Sequence, residues 1–167
     1  TPPDATVGTI LRVDPRVDAL IPANARIEKL ADGFNFAEGP VWIRSESRLL
    51  FSDVRGNEIY QWTEAEGAST FIDPVFEGDR TGLGSVSSNG LTLDSEGRLI
   101  ICEHGNRRIS RLEADGTRSV VVEQFEGRRL NSPNDAVYGS DGSLYFTDPP
   151  YGLAEQEASP LRELAKG

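Results

Sequence analysis

Three short strings carry the residues best suited to chemistry: Glu38-Gly39-Pro40, Ser88-Asn89-Gly90 and Ser132-Pro133-Asn134-Asp135. One carboxylate and two carboxamides are oxygen donors, a set that suits a hard cation such as Ca²⁺ or Mg²⁺. A turn before Gly-Pro has no need of a carboxylate, which singles out Glu38. Asn89 and Asn134 keep a second reading, because Asn and Gly also serve turns and tolerate positive φ. Cys102 and His104 are the only residues of their types, so an intrachain disulfide, a cysteine-rich zinc site and a multi-histidine metal site are all excluded. Any metal is expected on oxygen.

Residues some 50 positions apart meet only if the chain repeats a structural unit, and it does. Three segments align without a gap, beginning at Val41, Leu91 and Ala136. Eight residues lead from these anchors to Leu49, Leu99 and Leu144, and 12 lead to the acids Asp53, Glu103 and Asp148. Each unit reads as strand, tight turn, strand, with Glu96-Gly97 and Asp141-Gly142 as turn signals. Third strands are expected at 58–62 and 108–112, which alternate apolar and polar, and fourth strands at 68–72 and 118–122. Four strands per repeat of ~45 residues predicts an all-β fold of four-stranded antiparallel β-propeller blades, about three of them. A β-sandwich is the alternative, but it does not require a polar position repeated in fixed register.

In a propeller the innermost strand of every blade lines the central channel, so Glu38, Asn89 and Asn134 are expected around one mouth. His104, following Glu103, is expected near it. Asp53 reads as a residue that caps a turn and binds backbone amides. Cys102, inside an apolar strand, reads as core, and Arg107-Arg108, Arg111 and Arg128-Arg129 as surface or pairing between blades. The expected organisation is a proline-rich lead-in over 1–25 packed on the blades, blades over 26–153, and a loop or short helix over 154–167.

The 167 residues carry a formal charge of −10, which argues against nucleic acid and anionic membrane as partners and is compatible with gathering cations. No window approaches 18 continuous apolar residues. The leading Thr-Pro-Pro-Asp-Ala reads as the remainder of processing or trimming. Periplasm or secretion is expected ahead of cytoplasm.

Six strings in order resemble the gluconolactonase family, the group that includes regucalcin (senescence marker protein) and the luciferin-regenerating enzyme. They are Phe36-Ala-Glu38-Gly-Pro-Val-Trp42, Leu50-Phe-Ser-Asp53, Asn89-Gly-Leu-Thr-Leu-Asp94, Cys102-Glu-His-Gly-Asn-Arg-Arg108, Leu130-Asn-Ser-Pro-Asn-Asp135 and Leu144-Tyr-Phe-Thr-Asp-Pro-Pro-Tyr-Gly152. The resemblance implies a six-bladed propeller with one divalent cation in its channel and hydrolysis of sugar lactones. Ca²⁺ is the cation expected, with Mg²⁺, Zn²⁺ and Mn²⁺ as alternatives. By the same resemblance Glu38 matches a metal ligand, and Asn134 matches an Asn at both metal and substrate. Asn131, His104 and Tyr151 fall in stretches that face the substrate, and Asn89 joins them by its place in the ring. The family's remaining ligands, including the Asp expected as general base, belong to later blades, so no catalytic residue is expected in this chain, which reads as an N-terminal half. Three rival readings stand beside a lactonase: a half-propeller that binds a cation or partner without turnover, a paraoxonase-like or strictosidine-synthase-like enzyme, and two halves pairing into one ring.

Overall fold

A computed structural model describes residues 7–165; Pro2, Pro3 and the last two tail residues lie outside the described part. The chain divides into two compact units, Thr1–Gly33 and Phe34–Gly167. In the first, Asp14 caps a short 3₁₀ turn, Pro15–Ala19, by accepting from the Arg16 N–H at 2.8 Å. There the Val7 N–H donates to the Ile27 carbonyl at 2.9 Å. That bond ties residues past 25 to the start of the chain, so this unit runs on to Gly33.

The second unit is built from antiparallel β-strands. β1 (Ala37–Ile43), β2 (Arg48–Asp53), β3 (Glu58–Thr63) and β4 (Gly67–Ile72) form one four-stranded sheet in chain order. β5 (Ser88–Leu93), β6 (Leu99–Glu103), β7 (Arg108–Leu112) and β8 (Arg118–Val122) form a second with the same order. The ribbon of β9 (Gln124–Phe125) and β10 (Arg128–Arg129) leads to a third sheet, β11 (Asp135–Tyr138) with β12 (Leu144–Thr147). These are two complete blades and the inner two strands of a third. The turns between inner strands form where the sequence places them: the Asp94 carboxylate accepts from the Glu96 and Arg98 N–H groups, both at 2.9 Å.

Two apolar seams hold the blades together. Ile43, Leu50, Ile59, Leu91, Leu99 and Ile101 pack between the first and second sheets. Ile100, Cys102 and Ile109 continue against Ala136, Tyr138 and Leu144 of the third. Alternation along β6 sends Leu99 and Ile101 to one neighbour and Ile100 and Cys102 to the other, so a strand buried on both faces reads as a continuous apolar run. Each such side chain, fully buried, contributes about 1.5–3 kcal/mol.

The turns after β2 and β6 reach sideways to the segment that leads into the next blade. Asn57 binds the Phe76 main chain with both side-chain atoms, at 2.9 and 3.1 Å. Arg107, at the equivalent position, donates from Nε to the Leu130 carbonyl at 2.7 Å. Of the basic strings, this arginine is buried and bridges blades.

Candidate functional site

The starts of β1, β5 and β11 stack side by side. A side chain on Gly39 would place its Cβ 2.1 Å from the Asn89 carbonyl oxygen, and one on Gly90 would lie 2.7 Å from that of Asn134. The Gly90 N–H donates to the Asn134 carbonyl at 2.7 Å. Ser52 Oγ donates to the Asn89 carbonyl and lies against Ser88 Oγ, both at 2.7 Å, which ties the first blade to the second at this level. Glu38, Asn89 and Asn134 therefore stand on contiguous backbone at one end of the blades, though 96 positions separate the first from the last.

Their side chains differ in how they are used. Asn89 Nδ2 donates to Asn134 Oδ1 at 2.9 Å, joining two blades through a carboxamide pair. The Glu38 carboxylate, partly buried, has no hydrogen-bond or ion-pair partner among the described residues. A carboxylate beside two carboxamides at a strand mouth fits a hard cation. Among the described residues no three of His, Cys, Asp and Glu gather to hold a metal.

The repeated acids at the ends of β2, β6 and the inner third-blade hairpin diverge. Asp53 accepts backbone N–H groups from Asn35, Phe36, Arg55 and Gly56 at 2.8–3.2 Å. Burial pushes its carboxyl up, but the four N–H bonds outweigh that and hold it below the usual carboxylate range. Asp148 accepts from only two, Asn131 and Ser132, at 2.7 and 2.9 Å, and burial leaves its carboxyl above that range. Glu103 takes side chains instead: Arg108, Arg118, Ser110 and Asn106.

A cleft of about 640 Å³ opens beside the mouth, lined by Asn134, Phe146, Thr147, Asp148, Pro149 and Tyr151 among others. It brings together Asn134 and Tyr151. Asn131 is turned inward, with Nδ2 donating to the Asp148 and Leu164 carbonyls at 3.1 and 3.2 Å. His104 is buried against Gly152, where an added Cβ would lie 2.7 Å from His104 Cβ and 2.8 Å from Ser132 Cβ. Five of the six buried side-chain polar atoms that lack a hydrogen-bond partner among the described residues belong to Ser87, His104, Arg107 and Asn131. Those residues lie along the seam between the second and third blades, where Ser87 and His104 are joined by a 2.9 Å backbone bond.

Burial pushes His104 down from 6.5 to about 4. The fold favours the neutral ring, so between pH 6.5 and 4 the unfolded chain takes up a proton that the folded chain refuses. Stability is therefore whole above pH 6.5 and falls as pH drops through that window, by up to about 3 kcal/mol. The measurement is urea stability from pH 7.5 to 4.5 for the protein and for His104→Leu. The gap between the two curves should change across the window, and a constant gap refutes the expectation.

A family model described as the SMP-30/gluconolactonase/LRE-like region matches residues 36–165. A curated gluconolactonase of Zymomonas mobilis is 36% identical over 164 residues, which cover 96% of this chain and 46% of the relative. Among solved structures, one described as a candidate gluconolactonase from a structural genomics programme is 38% identical with a TM-score of 0.72, covering 89% of this chain and 49% of that one. A gluconolactonase of Xanthomonas campestris, described as important in glucose secondary metabolic pathways, is 35% identical with a TM-score of 0.69 over 83% of this chain and 42% of its own. The chain thus spans about half the length of the relatives it matches.

Proposed function

Because the chain belongs to the SMP-30/gluconolactonase/LRE-like family, we propose that its mouth forms the N-terminal part of a lactonase site assisted by a divalent cation. One observation carries the reading: the unpartnered Glu38 and the Asn89–Asn134 carboxamide pair stand at neighbouring strand starts, and Asn134 lines an open cleft. Glu38 would supply the anionic ligand and Asn134 an amide oxygen, with Ca²⁺ as the cation proposed. Such a cation, when bound, supplies Lewis acidity toward the ester carbonyl.

The chain's own residues bind and orient. Asn134 joins the mouth to the cleft, where Tyr151 and Phe146 offer flat apolar walls to a sugar ring. Asn89 fixes the Asn134 amide by donating to it, so the pair presents one orientation. His104, buried and neutral at pH 7, supports the wall behind Gly152. The base that takes the proton of the attacking water is proposed to come from outside these 167 residues, in keeping with the relatives' greater length.

Two measurements test this. Calorimetry with Ca²⁺ on the 167-residue chain should give saturable binding, weakened about tenfold or more by Glu38→Gln. Release of acid from a sugar lactone, followed on the product of the whole reading frame, should fall to background in the same variant. Activity retained in Glu38→Gln defeats the proposal. Cation binding without turnover of any lactone favours a non-catalytic role, and turnover of aryl esters alone favours a different hydrolase.

A further inference from the structure

A second cleft, of about 360 Å³, lies between the turn after β2 and the loop that enters β5. Arg55 and Arg80 both line it, with Gly56, Asn57, Ser85 and Val86. In a chain of charge −10, most arginines of the blades are consumed by carboxylates: Arg98 by Asp94, Arg108 and Arg118 by Glu103, Arg111 by Glu113. The guanidinium groups of Arg55 and Arg80 have no hydrogen-bond or ion-pair partner among the described residues.

Both walls are fixed before any ligand arrives. The Arg55 N–H donates to Asp53 Oδ1 at 3.2 Å, and its guanidinium carbon sits 5.5 Å from the centre of the Phe36 ring. Ser85 Oγ donates to the Val54 carbonyl at 2.9 Å, joining one wall to the other. Arg80 opens a turn in which its carbonyl accepts from the Leu83 N–H at 2.9 Å. That turn is clipped to the third blade by Gly84 N–H to Gly152 O and Ala154 N–H to Gly82 O, both 2.9 Å. The two carboxylates nearest these arginines in the chain, Asp53 and Asp79, are occupied. Asp53 is saturated by four backbone N–H groups, and Asp79, next to Arg80, accepts from the Thr81 N–H and hydroxyl at 2.9 and 2.8 Å.

We propose that this cleft is a binding site for the oxyanion group of a small organic acid, a carboxylate or phosphate borne by a sugar-sized ligand. Guanidinium forks match the paired oxygens of both groups. The walls lead to the mouth, because Ser52 binds the Asn89 carbonyl and Val86 stands three residues before Asn89. Hydrolysis of a lactone turns a neutral ester into a carboxylate, so a cationic cleft at this rim suits either the product acid or a lactone that already carries a phosphate. That assignment of ligand rests on the lactonase reading; the oxyanion site itself does not.

The test is titration of the 167-residue chain with inorganic phosphate and, separately, with gluconate, at constant ionic strength. The readout is the arginine Nε–Hε resonances. Saturable shifts confined to Arg55, Arg80 and the loops they stand on are expected, with affinity weakened about tenfold or more in Arg55→Gln/Arg80→Gln. Arg44→Gln, in the turn at the other end of the first blade, should leave binding unchanged. Phosphate binding alone assigns a phosphate-bearing ligand, gluconate binding alone a carboxylate, and both together the shared oxyanion chemistry. Shifts that do not saturate, that chloride reproduces, or that survive the double substitution overturn the site. Loss of the lactonase reading would show differently, as anion binding intact without hydrolysis.

Discussion

Glu103→Ala is expected to destabilise the chain by about 4 kcal/mol, although its carboxylate has no hydrogen bond to Glu38, Asn89 or Asn134. The carboxylate is fully buried. It accepts from Arg108 Nε at 2.9 Å, Arg118 Nη1 at 3.1 Å, and the side chains of Ser110 and Asn106. Burying an ion pair brings little net gain, because desolvation offsets most of the attraction; removing one partner is different, since it strands the others. Alanine leaves two guanidinium groups, each about one-fifth exposed, facing a cavity and no anion. Glu103→Gln keeps an acceptor for Ser110 but removes the charge, and should cost about half as much. Urea unfolding of the three proteins checks the order. Equal stability of wild type and alanine variant would show that water reaches this cluster and screens it.

Gly39→Ala should be nearly as damaging, by about 3 kcal/mol, for a geometric reason. Gly39 has φ +58°, in the left-handed region, and an added methyl would meet the Asn89 carbonyl oxygen at 2.1 Å and Gly90 Cα at 2.9 Å. Both obstacles are backbone, so no rotamer change relieves them and β1 must move away from β5. The 2.7 Å bond from Gly90 N–H to the Asn134 carbonyl and the Asn89–Asn134 amide pair lie directly behind that contact. Loss of stability should therefore come with loss of the cation binding proposed for this mouth. Gly97→Ala is the control: its φ is +79°, but nothing lies within 4 Å of the added carbon, so it should cost only about 1 kcal/mol of backbone strain. Similar unfolding midpoints for the two variants would refute the close approach.

The strands were legible because period-two alternation, turn residues and a fixed spacing to an acid are local properties of the chain. Those same signals brought Glu38, Asn89 and Asn134 to one end of a radial stack, where the structure has them. Other features had no such signal. Asn57 and Arg107 do one job, pinning the segment that leads to the next blade, yet share no chemistry that a repeat search could match. Asp53, Glu103 and Asp148 share a register but not their partners, because what faces each comes from other segments. Arg55 and Arg80 look like ordinary surface charges in the sequence, and only the loop clipped across to Gly152 puts them in one cleft.

The blade, its strand order and the residues that begin each innermost strand follow from local patterns that repeat within about 45 residues. Which polar groups are satisfied, which are stranded and which share a cavity depends on long-range packing. Hydrogen bonding and burial are set by neighbours distant in the chain, and residue type does not encode who those neighbours are.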